Sequence, residues 1–355
     1  MRVAIVAPLY ESVPPRLYGG TERVVSYLTE ELVAQGHEVT LFASADSRTR
    51  ARLRPMARQG LRLDPGCRDP MAYHLVMLDQ VFESVREFDI VHFHLDYLQL
   101  PFARRLAVPS VTTLHSRLDV PEMQMVHRRF GEVPLVSISH AQRLPMASAN
   151  WVANVHHGLP PQLYPFSARP GSYLAFLGRI SPEKRPDRAI RLARAAGIPL
   201  KIAAKIEKLD LQYFDEVIRP MLDGPGVEFV GEIGEADKAR FLGEALALLF
   251  PIDWPEPFGL VMIESMACGT PVLAWRCGSV PEIMVNGVTG FVVDDERSAA
   301  AAIGRMPGLD RAACRRAFEE RFSARRMARE YLSVYRRLLE PPEPQASRIG
   351  EKENG

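Results

Sequence analysis

The feature that most constrains this chain is a grammar repeated in both halves. A short apolar run gives way to a turn carrying Gly or Pro, and then to an amphipathic stretch at helical spacing. Such alternation builds parallel sheets covered by helices. In the first half the pattern predicts strands at Val3–Ala7, Glu38–Ala43, Ile90–Phe93, Ser110–Leu114 and Val136–Ile138, with a helix over Glu22–Ala34 ended by Gly36. A turn-rich stretch from Pro165 to Gly171 interrupts it. The grammar then restarts, with strands expected at Tyr173–Leu177, Leu200–Ala204, Val227–Val230, Ala247–Phe250, Val272–Ala274 and Phe291–Val293, and a helix over Asp187–Ala196. The expected domains are therefore residues 1–165 and 166–322. A further helix, Ala324–Leu339, carries Met327, Tyr331, Val334, Tyr335 and Leu338 on one side. Residues 341–355, rich in Pro, Glu, Lys and Gly, are expected to be disordered.

Composition narrows the class. With 47% hydrophobic and 25% charged residues among 355, ordinary globular cores are within reach. A formal charge of +1 gives no global field to recruit nucleic acid. The four cysteines form no C-x-x-C pair, which fits reduced thiols in the cytoplasm. The apolar start stops at Pro8, too short for a signal segment, and no run approaches the roughly 20 residues that span a bilayer. The expected location is cytoplasmic, with at most peripheral contact at the inner membrane face. Arg48 to Arg62 holds six arginines and no acid. It reads either as a solvated loop or as a face for an anionic acceptor or membrane.

Ligands of open α/β sheets bind beyond the carboxyl ends of the strands, and the chemistry-bearing residues cluster there. After the strand ending at Phe250 comes Glu256-Pro257-Phe258-Gly259-Leu260, then Glu264-Ser265-Met266-Ala267-Cys268-Gly269-Thr270-Pro271-Val272. A helix starting near Gly259 offers free N–H groups and a positive dipole end to a phosphate. Glu256 precedes it, where a carboxylate meets sugar hydroxyls. Glu264 lies inside it and leans back toward its start. Basic residues follow the strand at Tyr173–Leu177, in Gly178-Arg179-Ile180-Ser181-Pro182-Glu183-Lys184-Arg185. Arg185 is expected to face outward. Tyr18-Gly19-Gly20-Thr21 precedes the first helix, with Thr21 as a possible N-cap, and His115 ends the strand at Ser110–Leu114. His92 and His94 suggest a metal at first sight, but alternate strand residues face opposite sides, so no metal site is expected from them.

The glutamate string closely resembles the E-x7-E signature of family 4 retaining glycosyltransferases, and the resemblance runs from Met1 to about Leu339. It implies GT-B architecture: two Rossmann-like domains facing across a cleft, the first on the acceptor side and the second on the donor side. Residues 323–340 would form a C-terminal helix crossing back to the first domain. The implied reaction moves a hexose-type sugar from a nucleotide diphosphate sugar, expected to be a UDP-sugar, to an unidentified acceptor. It would proceed on one face of the sugar, with no cofactor and no metal. By the same resemblance Glu264 binds the donor ribose, and Glu256 contacts the sugar beside Phe258, Gly259 and Leu260. Arg179 and Lys184 neutralise the diphosphate, Gly19 and Gly20 approach the donor phosphates, and His115 donates a hydrogen bond near the sugar. Two departures stand out: His156-His157-Gly158, where relatives often have Asn-Gly, and Lys201 to Lys205, where many have glycines. Two other readings of the same fold are a non-catalytic nucleotide-sugar sensor or partner subunit and a sugar-nucleotide epimerase.

Overall fold

The computed structural model describes residues 1–340, so the tail expected to be disordered lies outside the described residues. Two parallel sheets organise the chain. The first holds β1 (Arg2–Val6), β2 (Glu38–Ser44), β3 (Arg52–Ala57), β4 (Ile90–Phe93), β5 (Ser110–Thr113), β6 (Leu135–Ser137) and β7 (Trp151–Asn154), in the order β3-β2-β1-β4-β5-β6-β7. The second holds β8 (Tyr173–Ile180), β9 (Leu200–Ile206), β10 (Val227–Gly231), β11 (Ala245–Phe250), β12 (Val272–Trp275) and β13 (Gly290–Val293), in the order β10-β9-β8-β11-β12-β13. The strand order reverses between β1 and β4 and again between β8 and β11. Those switch points are where an open α/β sheet leaves a crevice for ligand.

Strands covered by helices on both faces read as unbroken apolar runs. Val3–Val6 of β1 and all of β11 are buried accordingly. One apolar cluster joins the two sheets, running from Ile5 and Leu28 through Leu159 to Leu248, Met262 and Tyr331. The C-terminal helix Ala324–Leu339 is held on the first sheet by two fully buried tyrosines. Tyr335 Oη lies 2.7 Å from His92 Nδ1, and Tyr331 Oη lies 2.9 Å from Thr113 Oγ1. At the entrance to that helix, Leu159 and residues 322–324 exchange backbone hydrogen bonds of 2.8 and 2.9 Å. The chain passes so closely that a Cβ on Gly158 would lie 2.4 Å from the Ser323 carbonyl oxygen.

Four expectations are corrected. Part of the arginine run is not a loop. Arg52–Ala57 alternates side chains at the strand period and pairs in parallel with β2 as an edge strand. Four of its six arginines meet acids: Arg50 with Glu30, Arg52 and Arg54 with Glu87, and Arg62 with Glu11. Thr21 does not cap the first helix, which starts at Gly20 with Gly19 at the N-cap position. Arg179 lies inside β8 rather than in the turn after it. Arg185 does not face outward. It sits at φ 54°, and its guanidinium bonds both oxygens of Asp187 at 3.0 Å and Asp253 at 2.8 Å. β7 and the helix Pro70–Glu83 also lie outside the sequence pattern.

Candidate active site

A cavity of about 620 Å³ opens between the two sheets. From the first come Gly19, Gly20, Asp96 and His115, which follow β1, β4 and β5. From the second come Arg179, Lys184, Glu256, Phe258, Gly259, Leu260 and Glu264. The residues singled out in the sequence thus share one cleft. The helix Leu260–Ala267 starts from Gly259 at φ 78° with no side-chain cap. A Cβ there would come within 2.7 Å of Met262 Cε and 3.1 Å of Phe250 Cζ, so only glycine fits. The helix Gly20–Ala34 also lacks a side-chain cap. Two helix N-termini without side-chain caps therefore border the cleft, the arrangement that binds phosphate. They approach closely, since a Cβ on Gly20 would lie 3.6 Å from Leu260 Cδ1.

Every predicted cation and glutamate has a partner. Lys184 Nζ forms an ion pair with Glu256, under the face of Trp254 at 4.7 Å. Arg179 is bonded to Glu183 at 2.5 Å and lies 3.3 Å from Asp210. Glu264 is almost fully buried, accepting from Lys238 Nζ at 2.8 Å and Tyr164 Oη at 3.1 Å. Burial works to raise its pKa, but Lys238 and Arg23 outweigh it and hold the carboxyl below its ordinary value. Arg23 is itself paired with Glu235, which competes with Glu264 for the single Tyr164 hydroxyl proton. A phosphate or ribose entering here exchanges existing partners rather than meeting bare charges.

His115 stands on the opposite wall. Its Nε2 lies 2.8 Å from His94 Nδ1, and its ring stacks on His157 at 5.2 Å. His157 in turn meets Phe258 edge-on at 4.7 Å, which links the first sheet to the segment leading into the helix Leu260–Ala267. Desolvation holds His115 down to about 3, so the ring is neutral at physiological pH.

The comparisons with known proteins agree with this geometry. The family model for glycosyl transferases group 1 matches residues 168–306. The model for glycosyltransferase family 4 matches residues 18–190. Together they span residues 18–306 without a gap. The chain belongs to the family 4 glycosyltransferases. It is 27% identical to a glycogen synthase of Mycobacterium tuberculosis over 89% of this chain and 88% of that protein. To a D-inositol 3-phosphate glycosyltransferase of Kribbella flavida it is 25% identical, over 73% of this chain and 74% of the other. Its fold matches the crystal structure of AviGT4, a glycosyltransferase involved in avilamycin A biosynthesis, with a TM-score of 0.75 and 25% identity. That match covers 96% of this chain and 98% of AviGT4. No helix among the described residues is long and apolar enough to cross a membrane.

Within this glycosyltransferase several cleft residues escaped sequence reasoning. Lys238, Arg23, Glu235 and Tyr164 surround Glu264 from three separate segments, and no local spacing joins them. The argument that His92 and His94 diverge is overturned, because β4 ends at Phe93 and His94 lies in the turn beyond it. Their rings stand 4.1 Å apart. Even so, no group of three metal-capable His, Cys, Asp or Glu side chains occurs among the described residues. Of the two departures, His157 and Lys205 both line the cleft, with Lys205 Nζ 5.5 Å from the Tyr18 ring.

Proposed function

We propose that this enzyme is a retaining, metal-independent hexosyltransferase that takes its sugar from a nucleotide diphosphate donor, UDP-sugars being the first to test. One observation carries the reading. The uncapped helix start at Gly259–Leu260, Arg179, Lys184 and the buried Glu264 all border the same cavity. The helix terminus and the two cations supply what a departing diphosphate needs, fixed positive charge in a site of low dielectric. Glu264 takes the ribose hydroxyls, and Glu256 with neutral His115 takes the sugar. Gly19 and Gly20 leave room for the phosphates to approach the backbone. The donor phosphate accepts the acceptor proton on the face from which it leaves, so no carboxylate nucleophile is required.

Lys184 and Glu256 neutralise one another before donor arrives. When the diphosphate takes the lysine, Glu256 is released toward the positive charge that develops on the sugar ring. That exchange couples donor binding to the readiness of the carboxylate.

The test is turnover of UDP-, GDP- and ADP-glucose followed by release of nucleoside diphosphate, with and without EDTA. Release should continue in EDTA, and the product should keep the anomeric configuration of the donor. A tenfold loss restored by magnesium or manganese overturns metal independence, and inversion overturns the same-face mechanism.

A further inference from the structure

Asp96 follows β4 and lines the same cavity, at the acceptor side and beside His115. Two non-glycine residues among those described adopt positive φ, and Asp96 is one of them, at 48°. Backbone in that region is strained for a side chain with a Cβ and persists where its surroundings over-determine it. Gln99 does so here. Fully buried, it donates from Nε2 to the Asp96 carbonyl at 3.2 Å and to Thr112 Oγ1 at 2.8 Å.

The strain aims a carboxylate. Ser116 Oγ donates to Asp96 Oδ2 at 2.7 Å, while Oδ1, shut off from solvent, accepts no hydrogen bond. Burial raises the carboxyl above its ordinary pKa, against the opposing pull of Ser116 and of the His115 and Ser116 backbone. An unpaired carboxylate oxygen without water is costly, so the site is built for a hydrogen-bond donor that the unliganded protein lacks. A phosphorylated acceptor would bring like charge against the Asp96 carboxylate.

We infer that Asp96 Oδ1 is the anchor for the acceptor: it accepts a hydrogen bond from the hydroxyl that receives the sugar, and it selects a neutral polyhydroxylated acceptor over a phosphorylated one. The inference rests on the donor chemistry proposed above. In the transfer, the bond from C1 to the diphosphate oxygen breaks and a bond from C1 to the acceptor oxygen forms. The hydroxyl proton passes to the departing phosphate. Asp96 orients the hydroxyl without taking its proton.

Donor hydrolysis tests this without knowing the acceptor, because water then takes the acceptor's place. The substrate is whichever of UDP-, GDP- or ADP-glucose is consumed fastest. D96N keeps the shape and tolerates positive φ, and D96G removes the carboxylate while relieving the strain. Both should hydrolyse donor at least tenfold more slowly, with affinity for the free nucleotide diphosphate within twofold of wild type. D96G should also melt at a higher temperature, which separates lost function from lost folding. Methyl α-glucoside should suppress wild-type hydrolysis, or accept the sugar, at lower concentration than glucose 6-phosphate. Wild-type rates in D96N, or nucleotide affinity falling in step with rate, overturn the role of Asp96. A tenfold preference for the phosphorylated probe overturns the acceptor class. If wild-type protein consumes no nucleotide sugar, the donor chemistry itself fails and Asp96 falls with it.

Discussion

Glu264 and Lys238 are a buried ion pair 2.8 Å apart, with the lysine Nζ also 3.8 Å from Glu235. Removing one member of such a pair strands the other charge, which costs about 3–5 kcal/mol. Glu264→Ala should therefore lower stability by that order in urea unfolding. The double variant E264A/K238A should recover part of the loss, since the stranded cation goes with its partner. Additive losses would mean that the two side chains do not interact in solution. Asp187, in the helix Pro186–Ala196, makes a similar case. Burial works to raise its pKa, but the bonds from Arg185 and Arg191 outweigh it and hold the carboxyl at about 2. Its contribution is full above about pH 4 and fades as pH falls toward 2. The string from Glu256 to Val272 was legible because strand, glycine turn and helix are consecutive there. Lys238 was not, because only packing brings its helix, Glu235–Gly243, against Glu264.

The C-terminal helix shows what an amphipathic pattern does and does not reveal. Its bounds, Ala324–Leu339, follow from Ser323 as N-cap and from the spacing of its apolar residues. Nothing in that spacing says that two of the buried residues bind a histidine and a threonine of the first sheet. Tyr335→Phe leaves His92 Nδ1 buried without a partner and should cost about 1–3 kcal/mol. Tyr331→Phe should cost less, about 0.5–1.5 kcal/mol, because Thr113 keeps His92 Nε2 at 2.7 Å. Chemical denaturation of the two variants checks the order, and equal losses would contradict it. At the other end of the first sheet, β3 escaped detection because arginines stand at Arg52 and Arg54, where a strand pattern expects apolar residues. The Arg54 guanidinium lies over the Phe42 and Phe88 rings, so a charged residue covers apolar surface where sequence reading looks for an apolar one.

Across the molecule, His92, His94, His115 and His157 form a line of rings from the C-terminal helix to Phe258 in the second half of the chain. Burial is the main cause in each case, and it lowers His92 to about 3 and takes His94 and His157 well below their ordinary value. The unfolded chain binds these protons from about pH 6.5 downward while the folded state refuses them. Stability from the line is thus full above pH 6.5 and is lost as pH falls toward 3. For the three fully enclosed rings the slope is about 1.4 kcal/mol per pH unit each. Urea unfolding at pH 8, 6.5 and 5.5 should show little change over the first step and a marked loss over the second. Stability unchanged to pH 5 would mean that the rings are charged or exposed in solution.

The two parallel sheets were readable from the alternation of the sequence, since each strand–turn–helix unit is local. The meeting of their switch points was readable only through resemblance, because it depends on the Leu159 to Ala324 crossing and on Gly158 letting it pass. The division of labour within that cleft is best tested by calorimetry with nucleoside diphosphate on Glu256→Gln and Glu264→Gln, beside donor turnover. Glu264→Gln should lose about 1–3 kcal/mol of nucleotide affinity. Glu256→Gln frees Lys184 for the diphosphate, so it should bind nucleotide at least as tightly as wild type while kcat falls. A Glu256→Gln protein that loses nucleotide affinity as severely as Glu264→Gln, or a wild type that binds no nucleoside diphosphate, would contradict the assignment.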